Sequence, residues 1–430
     1  MKQPRILVGL ALASIALAAC GNSTSGGSAN KGTIKIGVDL PESGAETSNG
    51  IPTLNGVKFA VQQKGSVDGF KLEYFNLDDA VNGVHDAVKG AQNVQQFVDD
   101  PKVLAVVGPF NSGVARAEIP KTNRAHLVQI SPANTNQCLT KDIYIPTALS
   151  GKPDVDCKAA GLPFPKDLRP TGANNYFRVA TTDDLQGPAM ADFALTTLSI
   201  TKVGVASDAE AYGKGIADTF SSRFTGKGGT VVKRQDFPNA SQVHDFTSFL
   251  RAAQRAGAQG IYFGGTDSNN ACVVRNQMKG IFADSAPFMG GDGIVTGQCL
   301  KDAAAQAPGM RGTVATVDAS QRPDAKATID AFKAAYPNAS DYGAYTMPSY
   351  DCTQIIIAAI HRAIQANGGN MPTRQQVLDQ MSKTDYTGAL GHTSFDDKGD
   401  TTNKVVTVYE AKGSPVDWAS VKAFDYTNGL

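Results

Sequence analysis

The chain has 430 residues, of which 41% are hydrophobic and 19% are charged. This balance excludes a fibrous or largely disordered protein, and the length exceeds what one hydrophobic core usually serves, so two lobes are expected. The 40 basic and 40 acidic side chains give a formal net charge of zero. Neutrality argues against a nucleic-acid partner, because phosphate binding requires a surplus of Lys and Arg.

The N-terminal segment carries the features of a secretion signal. Two basic residues precede an uncharged apolar stretch over residues 6–19, which is too short to span a bilayer as a helix. Residues 17–20, Leu-Ala-Ala-Cys, are similar to the processing box of bacterial lipoproteins, whose cysteine accepts a diacylglyceryl group. We therefore predict a signal peptide over residues 1–19, then a lipidated Cys20 and a flexible tether over residues 20–32. An ordinary signal peptide with an incidental cysteine is the alternative.

The remaining five cysteines agree with an exported, oxidising location. Cys138 and Cys157 flank a proline-rich segment, and a disulfide closing that loop would stabilise the fold by roughly 3 kcal/mol. Cys272 and Cys299 form a second candidate pair. Cys352 lies in an apolar helical pattern, which predicts an inert, buried thiol.

Short apolar runs alternate with amphipathic stretches from residue 33 onward. Strands rich in Val, Ile and Leu are predicted at residues 34–38, 72–75, 104–107, 127–130, 202–206, 230–234 and 260–264, with a last strand at 405–410. Helices with apolar residues at three-four spacing are predicted at residues 84–98, 216–224, 246–256 and 349–364. Two blocks of this alternation predict an α/β fold with two Rossmann-like lobes and parallel sheets.

One long segment, residues 136–175, shows neither the apolar runs of the predicted strands nor the three-four spacing of the predicted helices. Such segments inside a compact domain are usually functional or disordered. We interpret it as a disulfide-stapled surface insertion at the junction of the lobes. A strand at residues 176–179 then leads the chain into the second lobe.

The sequence contains none of the common catalytic motifs. It has no G-x-S-x-G elbow, phosphate-binding P-loop or H-E-x-x-H pair, and its five histidines are dispersed without metal-ligand spacing. These features predict a binding protein, without catalytic residues, cofactor or metal.

Six short sequence motifs, in matching order and spacing, indicate a family resemblance. They lie at residues 108–113, 130–136, 208–213, 262–265, 290–293 and 395–400. Together they resemble the periplasmic leucine/isoleucine/valine-binding protein family, the type I solute receptors of ATP-driven (ABC) importers. The resemblance implies two α/β lobes joined by three crossovers, with a ligand closed between them.

The resemblance also implies ligand contacts at the ends of two strands in the first lobe. Phe110 and Ser112 belong to the first motif, and a hydroxyl at a helix N-terminus offers an anion site for a ligand carboxylate. A simple N-cap is the alternative for Ser112. Ala133, Asn134 and Thr135 follow the next strand and present backbone groups and a hydroxyl to the cleft.

Other positions bear on which ligand is bound. Tyr212 is similar to the aromatic residue that closes over the solute, although a packing tyrosine is the alternative. The family's ammonium-binding Glu is replaced by Asn269, and Asp267 in the same loop offers a substitute charge or is a solvated turn residue. Asn49 replaces an aromatic residue near the first turn, and Tyr345 is expected to supply an aromatic wall. The polar Asn49 disfavours a purely aliphatic side chain. The resemblance implies an amino acid of the branched-chain type or an analogue as the ligand, with an amide, a urea-like compound or an aromatic acid as the alternative.

The expected organisation follows from this resemblance. The first lobe is predicted over residues 33–180, the second over 181–317, a return to the first over 318–388 and a return to the second over 389–430. We expect an extracytoplasmic, lipid-anchored monomer that captures a small solute by hinge closure and delivers it to an ABC importer permease. A ligand-sensing module without catalysis is the alternative of another class.

Overall fold

The computed structural model describes Met1 and residues 31–430. The predicted signal peptide, the lipidation site Cys20 and the tether up to residue 30 therefore lie outside the described residues, apart from Met1. Within the described part of the chain, no helix combines the length and apolar character that a membrane crossing requires.

The described chain alternates strands and helices along most of its length. The strands are β1 (Thr33–Leu40), β2 (Ser66–Val67), β3 (Phe70–Asp78), β4 (Ala80–Val81), β5 (Val84–His85), β6 (Val103–Val107), β7 (Val128–Ser131), β8 (Ile143–Ile145), β9 (Val155–Asp156), β10 (Tyr176–Arg178), β11 (Lys202–Ser207), β12 (Thr230–Asp236), β13 (Gly260–Gly264), β14 (Phe288–Gly290), β15 (Arg311–Val314), β16 (Tyr386–Gly388), β17 (Gly391–Thr393), β18 (Val405–Lys412) and β19 (Asp417–Asp425). The helices are α1 (Thr47–Lys64), α2 (Ala87–Asp99), α3 (Ser112–Arg124), α4 (Asp183–Thr196), α5 (Ala211–Gly226), α6 (Thr247–Arg255), α7 (Ala271–Gln277), α8 (Gly297–Ala303), α9 (Lys326–Ala335), α10 (Thr346–Ala366) and α11 (Arg374–Met381).

Two sheets define two lobes. The first has the order β10-β7-β6-β1-β3-β2, and the second has the order β12-β11-β13-β14-β15-β18-β19. The pairs β1–β3, β1–β6, β6–β7 and β7–β10 are parallel, as are the contacts from β12 to β15. All five residues of β6, Val-Leu-Ala-Val-Val, are buried, as expected for a parallel strand covered by helices on both faces. The predicted α/β fold with two lobes is confirmed.

The chain passes between the lobes three times. It leaves the first sheet after β10, returns after β15 to place α10 against α1, and leaves again before β18. Gly56 permits the close approach of α1 and α10, because a Cβ at this position would lie 2.1 Å from the Thr346 carbonyl oxygen.

The helix predicted over residues 84–98 starts three residues later in the structure, at Ala87. Val84 and His85 form a short hairpin with β4, and the helix starts at Ala87 because the Asp86 carboxylate accepts a hydrogen bond from the Lys89 N–H at 2.7 Å. Val88, which fitted the apolar stripe, is 66% exposed.

The predicted last strand is also corrected. It extends to Lys412 and is followed by β19, which pairs antiparallel with it at the edge of the second sheet. Helix α1 escaped prediction because Gly50, Pro52 and Gly56 interrupt its pattern. Since α1 is buried on most of its surface, it has no strong polar face to mark it.

The segment over residues 136–175 is more deeply placed than a surface insertion. Its first five residues are buried, and it forms the small β8–β9 hairpin and several short 3₁₀ turns. A disulfide joins Cys138 to Cys157, with 5.8 Å between their Cα atoms. The segment bridges the lobes, because the Tyr144 hydroxyl donates to Asp218 in α5 at 2.8 Å.

The second lobe contains its own disulfide. It joins Cys272 in α7 to Cys299 in α8, with Cα atoms 5.2 Å apart. Cys352 is a free thiol buried in α10, among the isoleucines of the first lobe's core.

Candidate ligand-binding site

The cleft between the lobes lies beyond the carboxyl ends of β6 and β7, the usual place for a ligand in an open α/β sheet. Phe110 and Ser112 follow β6, and Ala133 and Thr135 follow β7. All four residues are at most 5% exposed. The fold therefore brings these predicted first-lobe residues together.

Ser112 is not the N-cap of its helix. Asn111 occupies the N-cap position, and Ser112 is the first residue of α3. The Ser112 hydroxyl oxygen accepts a hydrogen bond from the backbone N–H of Asn136 at 3.2 Å. It therefore faces the turn after β7 and ties the two predicted ligand-contacting turns together.

Asn134 performs a structural task with its side chain. Its Nδ2 donates to the Phe110 carbonyl at 2.7 Å, and its Oδ1 accepts from the Tyr176 hydroxyl at 2.9 Å. Both ends of the amide are therefore engaged inside the first lobe. Only the backbone of Asn134 remains as the predicted ligand contact.

Asp183, at the first position of α4, is a candidate site residue that sequence reasoning missed. It is fully buried, its backbone N–H donates to the Thr135 carbonyl at 2.8 Å, and neither carboxylate oxygen makes a well-formed hydrogen bond within the described chain. The Thr135 hydroxyl, 1% exposed, is likewise without one. A Cβ placed on Gly215 would lie 3.5 Å from Asp183 Oδ2, so the carboxylate faces α5 of the second lobe.

The electrostatics of Asp183 suit a cationic or N–H-bearing ligand group. Burial raises the pKa of Asp183 well above its ordinary value, the nearby charge of Asp292 adds to this, and the proximity of Thr135 offsets only part of it. A buried carboxyl without a partner is destabilising. An ammonium or amide N–H from a ligand would remove that penalty. The only feature of the sequence that points to Asp183 is its position directly after the first crossover between the lobes.

Asp292 joins two of the predicted aromatic residues across the cleft. Its Oδ1 accepts from the Tyr212 hydroxyl of the second lobe at 2.8 Å, and its Oδ2 accepts from the Tyr345 hydroxyl of the first lobe at 2.8 Å. Burial raises the pKa of Asp292, although these hydrogen bonds and one from Gln186 oppose the shift. Tyr345 also packs edge-on against Phe110, with 5.4 Å between ring centroids. Tyr212 and Tyr345 therefore close the cleft from opposite sides.

Asp267, Asn269 and Asn49 are already engaged with other protein groups. Asp267 Oδ1 accepts from Asn49 Nδ2 at 3.1 Å, and its Oδ2 accepts from the Ser48 hydroxyl at 2.8 Å. Asn269 Nδ2 donates to Asp208 and Glu210 within the second lobe. Burial raises the pKa of Asp267 to about 7. The loop predicted to bind an ammonium links the two lobes to each other in this structure.

Residues 33–415 match the periplasmic binding protein family. The chain belongs to the periplasmic binding protein family. This match confirms the family resemblance seen in the six sequence motifs.

Relatives and solved structures extend this finding. The binding protein is 26% identical over 383 residues to an amino acid binding protein of Pseudomonas aeruginosa, covering 88% of this chain and 90% of that protein. It is 27% identical over 381 residues to a leucine-, isoleucine-, valine-, threonine- and alanine-binding protein of the same organism, again covering 88% and 90%.

Two crystal structures share the fold. A leucine-binding protein from Thermotoga maritima superposes with a TM-score of 0.75 at 24% identity, covering 92% of this chain and all of that one. An ABC transporter solute-binding protein from Rhodopseudomonas palustris, in complex with p-hydroxybenzoic acid, gives 0.74 at 17% identity, covering 91% and 97%.

The binding protein carries an inter-lobe latch, which we define as Glu46, Ser48, Asn49 and His85 of the first lobe with Glu210, Asp267 and Ser268 of the second. The Ser268 hydroxyl donates to Glu46 Oε1 at 2.5 Å. His85 Nδ1 lies 2.6 Å from that same oxygen, and its Nε2 lies 2.7 Å from Glu210 Oε2. The described structure is therefore a closed arrangement of the lobes.

A buried acidic cluster in the first lobe lies outside the cleft. Asp39, Asp79 and Glu118 are fully buried, and each places a carboxylate oxygen within 4.8 Å of the others. Asn93 donates to Asp39 at 2.7 Å and Gln129 donates to Glu118 at 2.6 Å. Burial raises the pKa of all three carboxyl groups, that of Glu118 to about 8. Protonated carboxyl groups account for a cluster of this kind without a cation.

Proposed function

We propose that this protein is an extracytoplasmic solute-binding receptor that captures a small polar solute and delivers it to the permease of an ABC importer. Family membership and the amino-acid-binding relatives support this role. The observation that carries it is the buried pair of Thr135 and Asp183, whose polar atoms lack well-formed partners at the meeting of the two lobes. Such a pair is stabilised when a ligand supplies the missing hydrogen bonds.

We propose an amino acid of the branched-chain type, or a close analogue, as the ligand. The Ser112 hydroxyl and the start of α3 would hold the carboxylate, while Thr135 and Asp183 would receive the ammonium. Phe110 and Tyr345 offer an aromatic wall for the side chain. Asn269 stands where the family has an ammonium-binding Glu. In this proposal the Asp183 carboxylate takes the place of that missing Glu.

An aromatic acid is the second candidate. The edge-on pair of Phe110 and Tyr345 favours it, and the R. palustris neighbour binds such an acid. The carboxyl group of Asp183 favours the amino acid, because an ammonium offers it charged N–H donors where a phenol hydroxyl offers one uncharged donor.

Capture requires hinge closure in this proposal. A ligand that contacts Thr135 in the first lobe and Asp183 in the second binds the closed form better than the open form, so it shifts the population towards closure. No catalytic step is part of the role.

The same proposal includes the cellular context. The signal peptide over residues 1–19, lipidation of Cys20 and a monomeric receptor tethered outside the membrane are consistent with a solute receptor. We also propose that the chain changes lobes after residues 180, 317 and 388. Replacing Cys20 by Ser should release the protein from the membrane fraction and remove the diacylglyceryl mass. Retention in the membrane would contradict the anchor while leaving the ligand proposal intact.

Titration calorimetry with leucine, isoleucine, valine and 4-hydroxybenzoate tests the ligand. Asp183→Asn should weaken amino-acid binding by about 10-fold or more, the loss of a charge-assisted hydrogen bond. Asp330→Asn, at an exposed ion pair on α9, is the matched control and should bind like the unmodified protein. Unchanged affinity in Asp183→Asn would overturn the ammonium site, and tighter binding of 4-hydroxybenzoate would favour the second candidate.

A further inference from the structure

A second cavity lies between the lobes, outside the ligand residues described above. It has a volume of about 410 Å³ and is partly open to solvent. Its walls come from the first lobe, the second lobe and the stapled segment over residues 136–175. The lining includes His85, Asp86, Arg116, Tyr144, Glu210 and Lys214. We call this space the outer chamber.

The outer chamber adjoins the carboxylate end of the proposed ligand site. A much smaller cavity, of about 10 Å³, is lined by Ser112 and shares Arg116, Ala211 and Leu162 with the chamber. Ser112 and Arg116 are four residues apart in α3, so their side chains lie on the same face one turn apart. A solute held at Ser112 can therefore extend past Arg116 into the chamber.

The carboxylates that face the chamber already have partners. Asp86 caps α2 by accepting from the Lys89 N–H. Glu210 accepts from Asn269 and faces His85. Burial raises the pKa of Glu210, but the hydrogen bond and charge of His85 outweigh it, so the net shift is downward. Asp86 and Glu210 therefore have hydrogen-bond partners within the protein and do not need a ligand cation in the chamber.

The cations of the chamber are less fully matched. Lys214 lies 2.5 Å from Asp218, a carboxylate that it shares with Arg234 and the Tyr144 hydroxyl. Arg116 makes no ion pair or side-chain hydrogen bond with any residue of the described chain. The chamber therefore has a guanidinium from the first lobe and an ammonium from the second.

We propose that the outer chamber receives an anionic end of the captured solute, with Arg116 as its principal counter-charge. This inference rests on the proposed receptor role and replaces the branched-chain ligand by an extended solute with a second carboxylate, such as an amino acid with an acidic side chain. That side chain enters the outer chamber and does not lie on the aromatic wall of Phe110 and Tyr345. A planar guanidinium pairs with a carboxylate through two parallel N–H donors. Because Lys214 belongs to the opposite lobe, the same carboxylate also favours closure.

The test compares acidic solutes with neutral ones of similar shape. Calorimetry would measure L-glutamate against L-glutamine, and L-2-aminoadipate against L-norleucine. In the unmodified protein the acidic member of a pair should bind about 10-fold tighter or more, and its affinity should fall with added salt because the chamber is open to solvent.

Arg116→Gln should abolish the preference for the acidic member and leave binding of the neutral member unchanged. Arg124→Gln, at the other end of the same helix, is the matched control and should retain the preference. An unchanged melting temperature would show that Arg116→Gln is folded.

The outcomes separate the two proposals. Equal or tighter binding of the neutral members, with no effect of Arg116→Gln, would overturn the chamber assignment while the receptor role stands. Binding of none of these solutes, nor of the branched-chain amino acids, would overturn the proposed ligand class and this inference with it.

Discussion

His85 Nε2 lies 2.7 Å from Glu210 Oε2, in a contact that joins the first lobe to the second. The other ring nitrogen lies 2.6 Å from the fully buried Glu46. Burial lowers the pKa of His85, but the charge of Glu46 and the contacts to both carboxylates outweigh it, so the pKa is well above its ordinary value. A charged histidine therefore holds the latch closed.

Closure should consequently weaken at alkaline pH. Glu46 faces His85 within the first lobe, whereas Glu210 reaches it only on closure, so His85 holds its proton more tightly in the closed form. Closure is therefore stabilised while His85 is charged, and this contribution is lost as pH rises through the closed-state pKa of His85. Small-angle scattering of the ligand-free protein should show a larger radius of gyration on the alkaline side of that transition. His85→Gln should lack this transition, and a persistent transition in the variant would assign it to another group.

Breaking the Arg178–Asp400 pair should destabilise the protein. Arg178 is fully buried, its Nε donates to Asp400 Oδ1 at 2.7 Å, and its Nη1 donates to the Asn136 carbonyl at 2.8 Å. Asp400→Asn leaves a buried guanidinium without its counter-charge, so the free energy of unfolding should fall by about 3 to 5 kcal/mol. Denaturant unfolding measures this.

The exposed ion pair of Lys326 and Asp330 provides the comparison for that experiment. Its removal by Asp330→Asn should change the free energy of unfolding by at most about 1 kcal/mol. Equal effects of the two variants would contradict the structural role of the buried pair.

Removing the disulfide of the stapled segment should loosen the wall of the outer chamber. The double variant Cys138→Ser and Cys157→Ser opens a loop with a sequence separation of 19, and the loss should be about 3 kcal/mol. Calorimetric melting would record it, and limited proteolysis should cut residues 139–156 first. Cys352→Ala, at the free buried thiol, should leave that loop resistant.

The acidic cluster should make stability fall as pH rises. Burial raises the pKa of Glu118 to about 8, so the folded state holds a proton that the unfolded chain releases above about pH 4.5. Stability therefore falls progressively between about pH 4.5 and pH 8 and levels off above that. Glu118→Gln should show a flatter dependence of melting temperature on pH between about 5 and 8. Parallel curves for the two proteins would be evidence against this assignment.

The sequence predicts those parts of the site that follow from local pattern. Phe110, Ser112 and Thr135 come directly after apolar runs, and the carboxyl ends of parallel strands meet at one edge of a sheet. Tyr212 and Tyr345 were predicted as separate aromatic residues. Their convergence on Asp292 is not predicted, because Tyr212 is 80 residues from Asp292 along the chain and Tyr345 belongs to the opposite lobe.

Asp267 and Asn269 show why the family pattern alone misleads. Their position after a glycine turn predicts a ligand charge, yet Asp267 is bonded to Ser48 and Asn49, more than 200 residues away along the chain. Asp183, which has no distinctive motif, is a buried carboxyl group at the meeting of the lobes that lacks a well-formed partner within the described chain. Hydrogen-bond satisfaction depends on which groups the opposite lobe presents.

The sequence by itself determined the alternation of strands and helices, and therefore two α/β lobes, because burial of a strand or of one helix face is recorded in nearby residues. Its six motifs also determined the family. Only the tertiary structure decided which polar groups latch the lobes and which remain for a ligand. The physical reason is that charges such as His85 and Glu210, 125 residues apart, become neighbours only when the hinge closes and removes water from between them.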